Sequence, residues 1–391
     1  MREELDPRAM ATLSGGHLAV DFASGSVPAL LPFFVLEFEL SYTATAAVML
    51  AALVSSSFVQ PVFGLLSDRR GAMWLLPGGI ALAGLGTGLA AVSPRYELVL
   101  ALVFAAGIGI AAFHPEGAKF AVYASGRRRA SGMSYFNIGG NAGYALGPIV
   151  VTPLVLWLGL EGGLIAMVPV LAAAAVLLRS LARLSTLVPE RRAHAIGRGT
   201  DDIRAMSLLV VVIALRSVAW FGLLTFVPLW VVENGGSEGD GNRELSLMLV
   251  AGAVGTLLLG PVADRFGLRR TLLATQAALP FLVVAFVAVG GALGTLALML
   301  VGVSVVGTFG ITIVLSQLYL PRHVGMASGL SIGLAMGLGG IAAVALGAVA
   351  DAVDLETALY VAAAAPALGA AFCLALPRPR GRQTEPVPAA A

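Results

Sequence analysis

The chain is a series of apolar blocks separated by short polar turns. A helix that faces a core on one side and water on the other needs a polar stripe. Most blocks here have none. Cut at charges, prolines and glycine-rich turns, the sequence gives twelve segments: 14–36, 44–66, 72–93, 96–117, 131–157 and 161–180, then 206–232, 245–264, 270–290, 294–319, 325–350 and 356–376. Each is close to the ~20 helical residues that a bilayer core takes. The stretch from Leu181 to Ala205 is polar and basic, and the tail after Leu376 reads as disordered. The expected organisation is therefore an N-terminal six-helix bundle (1–180), a linker (181–205), a C-terminal six-helix bundle (206–376) and a tail (377–391).

Composition sharpens this to an all-α membrane protein. Of 391 residues, 58% are hydrophobic and 12% charged, against about 25% charged in soluble domains. A transmembrane β-barrel would show alternating segments of ~10 residues in place of long apolar blocks. The single cysteine, Cys373, excludes an internal disulfide framework and a cysteine-based metal site. The N-terminal residues carry Glu3, Glu4 and Asp6 and no basic region, so the first block is expected to stay as a transmembrane helix.

Charge distribution gives orientation. With the N-terminus in the cytoplasm, the inner loops hold Arg69 and Arg70, Lys119, Arg127 to Arg129, the basic linker, Arg265, Arg269, Arg270 and Arg322. The outer loops hold only Arg95 and Arg243, and collect Glu37, Glu39, Glu233, Glu238, Asp240, Asp351, Asp354 and Glu356. By the positive-inside rule both termini are expected in the cytoplasm of a cell that keeps the chain in its inner membrane. The basic residues are explained by topology, and nothing points to nucleic acid.

The halves repeat. Gly64-Leu65-Leu66-Ser67-Asp68-Arg69-Arg70-Gly71 follows the second segment, and Gly260-Pro261-Val262-Ala263-Asp264-Arg265-Phe266-Gly267 follows the eighth. Both read Gly-x-x-x-Asp-Arg-x-Gly. Twelve segments with this motif twice in register predict two pseudo-symmetric six-helix bundles, with a binding site at the midplane between them. The pattern resembles the major facilitator superfamily. Within it, His17-Leu18-Ala19-Val20-Asp21, Gln60-Pro61-Val62-Phe63-Gly64, Phe113-His114-Pro115-Glu116, Ala124-Ser125-Gly126 and Gly139-Gly140-Asn141-Ala142-Gly143 with Leu146-Gly147-Pro148 are similar to the fosmidomycin resistance family of drug exporters. The chain departs from the superfamily pattern at Ala72 and Met73, where basic residues are usual, and at Val150 and Val151, where glycines are usual. The resemblance implies proton-driven export of a small anionic antibiotic, a phosphonate bearing a hydroxamate, by alternating access. It implies no enzymatic activity and no cofactor beyond the proton gradient.

Ionisable groups at membrane depth are costly and usually functional. His17 and Asp21 are four apart and share a helix face. They are expected one to two turns from the cytoplasmic end of the first helix. His114 and Glu116 flank Pro115, where a local helix break is expected. The four form a candidate proton-coupling set, with Asp21 as principal carrier; the plain alternatives are a static His17–Asp21 pair and a Glu116–Lys119 pair. Arg216 is the candidate anion binder of the second half, since a guanidinium grips a phosphonate with two hydrogen bonds; alternatively it neutralises Asp21. Asn137 and Asn141 share a face and serve either substrate or helix packing. Gly143, Gly147 and Pro148 belong to a packing surface. Asp68, Arg69, Gly64, Asp264 and Arg265 form the loop motifs, in which the superfamily resemblance implies a latch from Asp68 to the start of the eleventh helix. Aromatics such as Phe33, Phe34, Tyr135, Phe136, Trp220, Phe221 and Trp230 are candidates for the cavity wall. The expected partners are a small anionic substrate, protons and lipid, with a monomer as the working unit. The competing reading is a divalent metal, or a metal chelate, held by His17, Asp21, His114 and Glu116.

Overall fold

A computed structural model describes residues 4–70, 72–126, 129–187, 200–323, 326–327 and 330–377. Among these, ten helices are long and apolar enough to cross a membrane, and two shorter apolar helices accompany them. Side chains such as Phe58, Trp157 and Phe281 point outward, as a lipid-facing surface requires.

The first half holds α1 (Pro7–Phe38), α2 (Tyr42–Arg70), α3 (Leu75–Ala91), α4 (Tyr96–Ala124), α5 (Arg129–Leu158), and a sixth span broken at Met167 into α6 (Glu161–Ala166) and α7 (Val168–Ser185). The second holds α8 (Ile203–Glu233), α9 (Glu238–Phe266), α10 (Leu268–Val289), and a tenth span broken into α11 (Gly291–Val306) and α12 (Phe309–Tyr319). A π-helical turn, Leu330–Leu334, then leads into α13 (Ala335–Ala352), and α14 (Leu355–Ala375) follows. Twelve spans in two bundles is the architecture expected from the sequence.

Three boundaries differ in ways that move the site. α1 begins at Pro7, seven residues before the predicted start. Asp6 caps it, accepting from the Ala9 amide, and Pro7 fills the first position, where its missing N–H costs nothing. The cap is anchored: Arg183 donates to Asp6 at 2.8 Å, and the Asp6 amide donates to the Ala124 carbonyl. Asp21 consequently lies about 21 Å along the helix at 1.5 Å per residue, near its middle and not one to two turns from its end. The second difference is α4, which runs through Pro115 to Ala124 without the expected break. Pro115 lacks the amide that would bond to the Ala111 carbonyl, yet the helix continues past it, and His114 ties its ring to the Ile110 carbonyl. The third is the interruption of the tenth span at Gly307 and Thr308.

α1 packs along α5 over most of its length, through glycines. A Cβ at Gly143 would overlap the Leu18 backbone, and one at Gly147 would overlap the Gly25 backbone. The two helices thus approach as close as backbones allow, which is the packing role expected for Gly143 and Gly147.

The two bundles meet along α2–α13, α5–α9 and α1–α8. The polar part of this seam lies at the end away from the termini. The Asp351 carboxylate accepts from the Tyr42 and Thr43 amides at the start of α2, and the Tyr42 hydroxyl donates to Glu233. The Asn242 amide donates to the Ala29 carbonyl at 2.8 Å.

The side chains of Asp68 and Arg69, residue Gly325 and residues 188–199 of the linker lie outside the described residues, so the Asp68 latch does too. Asp264 and Arg265 are exposed, with Arg265 5.4 Å from the Phe266 ring. Gly64 faces Pro115 of α4, with nothing closer to its Cβ position than 3.9 Å.

Candidate functional site

A cavity of about 350 Å³ lies between the bundles, on the terminus side of the seam. On each of α1, α2, α8, α9 and α13, cavity residues lie nearer the terminus-bearing face than the seam residue of that helix. The first half contributes His17, Asp21, Ser24, His114, Asn137, Asn141 and Tyr144. The second contributes Trp220, Phe221, Thr256, Phe309, Gly310, Thr312, Ser331 and Met336, among others.

Three candidate residues converge. His17 Nε2 stands 3.3 Å from Asp21 Oδ2, and His114 Nε2 stands 3.3 Å from Asp21 Oδ1. The far side of each ring is fixed. His17 Nδ1 donates to the Phe136 carbonyl at 2.8 Å, and His114 Nδ1 donates to the Ile110 carbonyl at 2.8 Å. A carbonyl can only accept, so both Nδ1 atoms carry hydrogen. Each Nε2 therefore presents either a lone pair or a proton to the carboxylate. With no proton in the two N–O gaps the cluster carries −1; one proton makes it neutral and two make it +1.

The packing holds these rings in place. Phe136 stacks on His17 with centroids 4.1 Å apart, and His114 meets His17 edge-on at 5.1 Å. Gly140 leaves the space for the pair. A Cβ there would stand 2.5 Å from His17 Nε2 and 2.7 Å from Asp21 Oδ2. The three ligand atoms also lie within 4.8 Å of one another, an arrangement that suits a divalent ion.

Glu116 is not part of the cluster. On an unbroken α4 it faces away from His114, is fully buried, and pairs with Lys119 at 2.7 Å. Asn137 and Asn141 line the cavity. Arg216 does not line it. Arg216 is 1% exposed, its guanidinium donates to Thr308 Oγ1 at 2.7 Å, and it lies 4.6 Å from the centre of the Phe309 ring, which does face the cavity. It has no contact with Asp21 among the described ion pairs.

Of the aromatics, Trp220 and Phe221 line the cavity, Phe136 braces His17 from behind, Phe34 is in the core and Tyr135 is exposed. Tyr144 was legible but missed: Asn137, Asn141 and Tyr144 follow one another at helical spacing on a single face. Phe309 and Thr308 gave no signal, because the break that presents them lies inside an uninterrupted apolar run.

Two helix bundles enclosing a largely apolar cavity with a His–Asp–His cluster in its wall are the arrangement of a membrane transporter. The model of the Major Facilitator Superfamily matches residues 13–344, and the chain belongs to that family. The chain is 30% identical over 364 residues to the uncharacterized MFS-type transporter YfnC of Bacillus subtilis, covering 90% of this chain and 89% of that protein. It is 28% identical over 374 residues to the fosmidomycin resistance protein of Escherichia coli, covering 92% and 90%. Among solved structures, a bacterial homologue of the human lysosomal transporter Spinster superposes with a TM-score of 0.75 at 13% identity, over 96% of this chain and 98% of that one. The nucleoside transporter NupG gives 0.72 at 14% identity, over 94% and 98%. Family and fold are those of transporters and not of enzymes.

Proposed function

We propose that the protein exports a small anionic compound, of the phosphonate type that fosmidomycin represents, in exchange for protons. The observation that carries this is the pair of 3.3 Å contacts from Asp21 to His17 and His114 inside the inter-bundle cavity. With both Nδ1 atoms committed to carbonyls, the exchangeable protons are those between Nε2 and the carboxylate. Without them Asp21 is an acceptor for donor groups on the cargo; with them it is not. Cargo and protons then compete for Asp21, the condition for exchange. Asn137 and Asn141 supply further polar contacts to the cargo.

In this reading the bundles 1–180 and 206–376 rock about the linker, as a monomer in the cell membrane with both termini cytoplasmic. The concentration of arginines on the terminus side supports that orientation, and the likeness to the fosmidomycin resistance protein supports the cargo.

The test is transport in proteoliposomes under an imposed pH gradient. Wild type should concentrate the phosphonate, and Asp21→Asn should only equilibrate it. Concentrative transport by Asp21→Asn removes Asp21 as the coupling group. A second reading, a divalent ion held by His17, Asp21 and His114, is favoured by the 4.8 Å convergence. Stoichiometric metal in the purified protein, lost in His114→Ala, would establish it; Glu116 is too far round α4 to be a fourth ligand.

A further inference from the structure

We infer that Arg216, Thr308 and the start of α12 form a covered subsite for the oxyanion head of the cargo, with Phe309 as its cover. The inference rests on the anionic-cargo reading above and locates the anion away from Asp21.

Arg216 is a buried cation without a neutralising partner. Among the described residues no carboxylate lies within ion-pair range, and Nε has no hydrogen-bond partner. Its two observed contacts are weak substitutes for a counter-ion. One is the Thr308 hydroxyl, and the other is the face of Phe309. A buried charge lacking a counter-ion is strongly disfavoured, so an anion reaching it recovers much of that penalty.

The neighbouring backbone points the same way. The tenth span breaks at Gly307–Thr308, and no side chain caps the amides that open the eleven-residue α12. Helix N-termini carry partial positive charge and unpaired N–H groups, which favour oxyanions. Gly310 lines the cavity, and a Cβ there would meet nothing within 4 Å, so there is open space beside these amides. The Phe309 ring lines the cavity and lies 4.6 Å from the guanidinium. Phe309 meets Trp220 edge-on at 6.5 Å, and both line the cavity. Rotation of Phe309 would let a phosphonate, phosphate or carboxylate head pair with Arg216 and the α12 amides. The rest of the cargo would extend across the cavity toward Asp21. Separating the anion from the proton cluster matters electrically. An anion bound against the cluster would favour its protonated form and couple in the wrong sense for exchange.

The experiment titrates methylphosphonate into the purified full-length protein in detergent at constant ionic strength, with no gradient. Binding is read by calorimetry and by tryptophan emission. Wild type should bind saturably, with a change in tryptophan emission. Arg216→Lys, which keeps the charge but loses the two-pronged geometry, should bind about tenfold more weakly or worse. Phe309→Ala should bind several-fold more tightly, because no covered state must first be opened. Melting temperatures show whether each variant is folded. Absence of saturable binding in both wild type and Phe309→Ala overturns the subsite. So does binding that Arg216→Lys leaves unchanged, or a folded Phe309→Ala that binds no better than wild type. Anion binding that follows Arg216 and Phe309, in a protein that shows no proton-driven transport, leaves the subsite standing and removes the exchange reading.

Discussion

Gly140 of α5 lies directly against Asp21 of α1: a Cβ on the glycine would fall 2.7 Å from Oδ2. The proton-site candidate is thus built by a residue with no side chain, on a helix that contributes none of the cluster's ionisable groups. In Gly140→Ala the methyl group displaces the carboxylate or His17, whose Nε2 would be 2.5 Å away. Overpacking of this kind costs roughly 1–3 kcal/mol. The expected result is a lowered melting temperature with at least tenfold slower gradient-driven transport. Unchanged transport would show that the two 3.3 Å contacts are not needed for coupling.

Glu116 offers the opposite case. It is fully buried and pairs with Lys119, away from the cavity. Glu116→Gln should lower stability by roughly 1–3 kcal/mol, below the range for a wholly buried pair because Lys119 reaches water. Proton coupling should persist. Loss of concentrative transport in a well-folded Glu116→Gln protein would return this residue to the proton path.

The seam away from the termini makes a prediction about conformation. Asp351 accepts two amides at the start of α2, where a carboxylate also meets the positive end of the helix dipole. Asp351→Asn removes the charge. An interaction of about 1 kcal/mol of this kind shifts a two-state balance about fivefold. In a Cys373→Ser background, a cysteine placed by Ala29→Cys, buried at the seam, should be labelled several-fold faster by a thiol reagent once Asp351→Asn is added. An unchanged rate would mean the seam is held by apolar packing alone.

A pH dependence follows from Asp201, at the start of the second half. Its carboxylate accepts from the Arg322 amide at 3.0 Å and from His323 at 2.7 Å. The Arg322 backbone hydrogen bond, followed by the His323 contacts, holds its pKa below the usual carboxylate value. A lowered pKa means the charged form is preferred in the folded protein. The stabilisation is full above the unfolded value of ~3.9 and is lost as pH falls through the lower folded value. Asp201→Asn should therefore lower the melting temperature at pH 7, and the gap to wild type should close on acidification through pH ~4 and below. A gap that is constant with pH would assign the effect to hydrogen bonding rather than charge.

How far the site was legible follows from its chemistry. His17 and Asp21 stood out because ionisable groups in an apolar run are rare, and their spacing of four places them on one face of any helix. His114 and Glu116 stood out equally, and local spacing could not say which of them meets Asp21. That choice depended on whether Pro115 breaks α4. The structure keeps the helix, so His114 turns to the cavity and Glu116 away from it. The depth of Asp21 was misjudged for a similar reason: Asp6-Pro7 is a helix start with ordinary signals, but it precedes the apolar run by several residues.

The sequence by itself determined the membrane class, the number of spans, the duplication and the short list of costly residues. Each follows from composition over a bilayer's thickness or from a motif that repeats. Only the tertiary structure decided which faces of those helices meet. Lipid and protein core are both apolar, so a transmembrane helix carries little periodicity to show which side is which. That ambiguity hid the glycine contact of α5 with Asp21, the placement of Arg216 behind Phe309, and the closing of the seam by Asp351 on the start of α2.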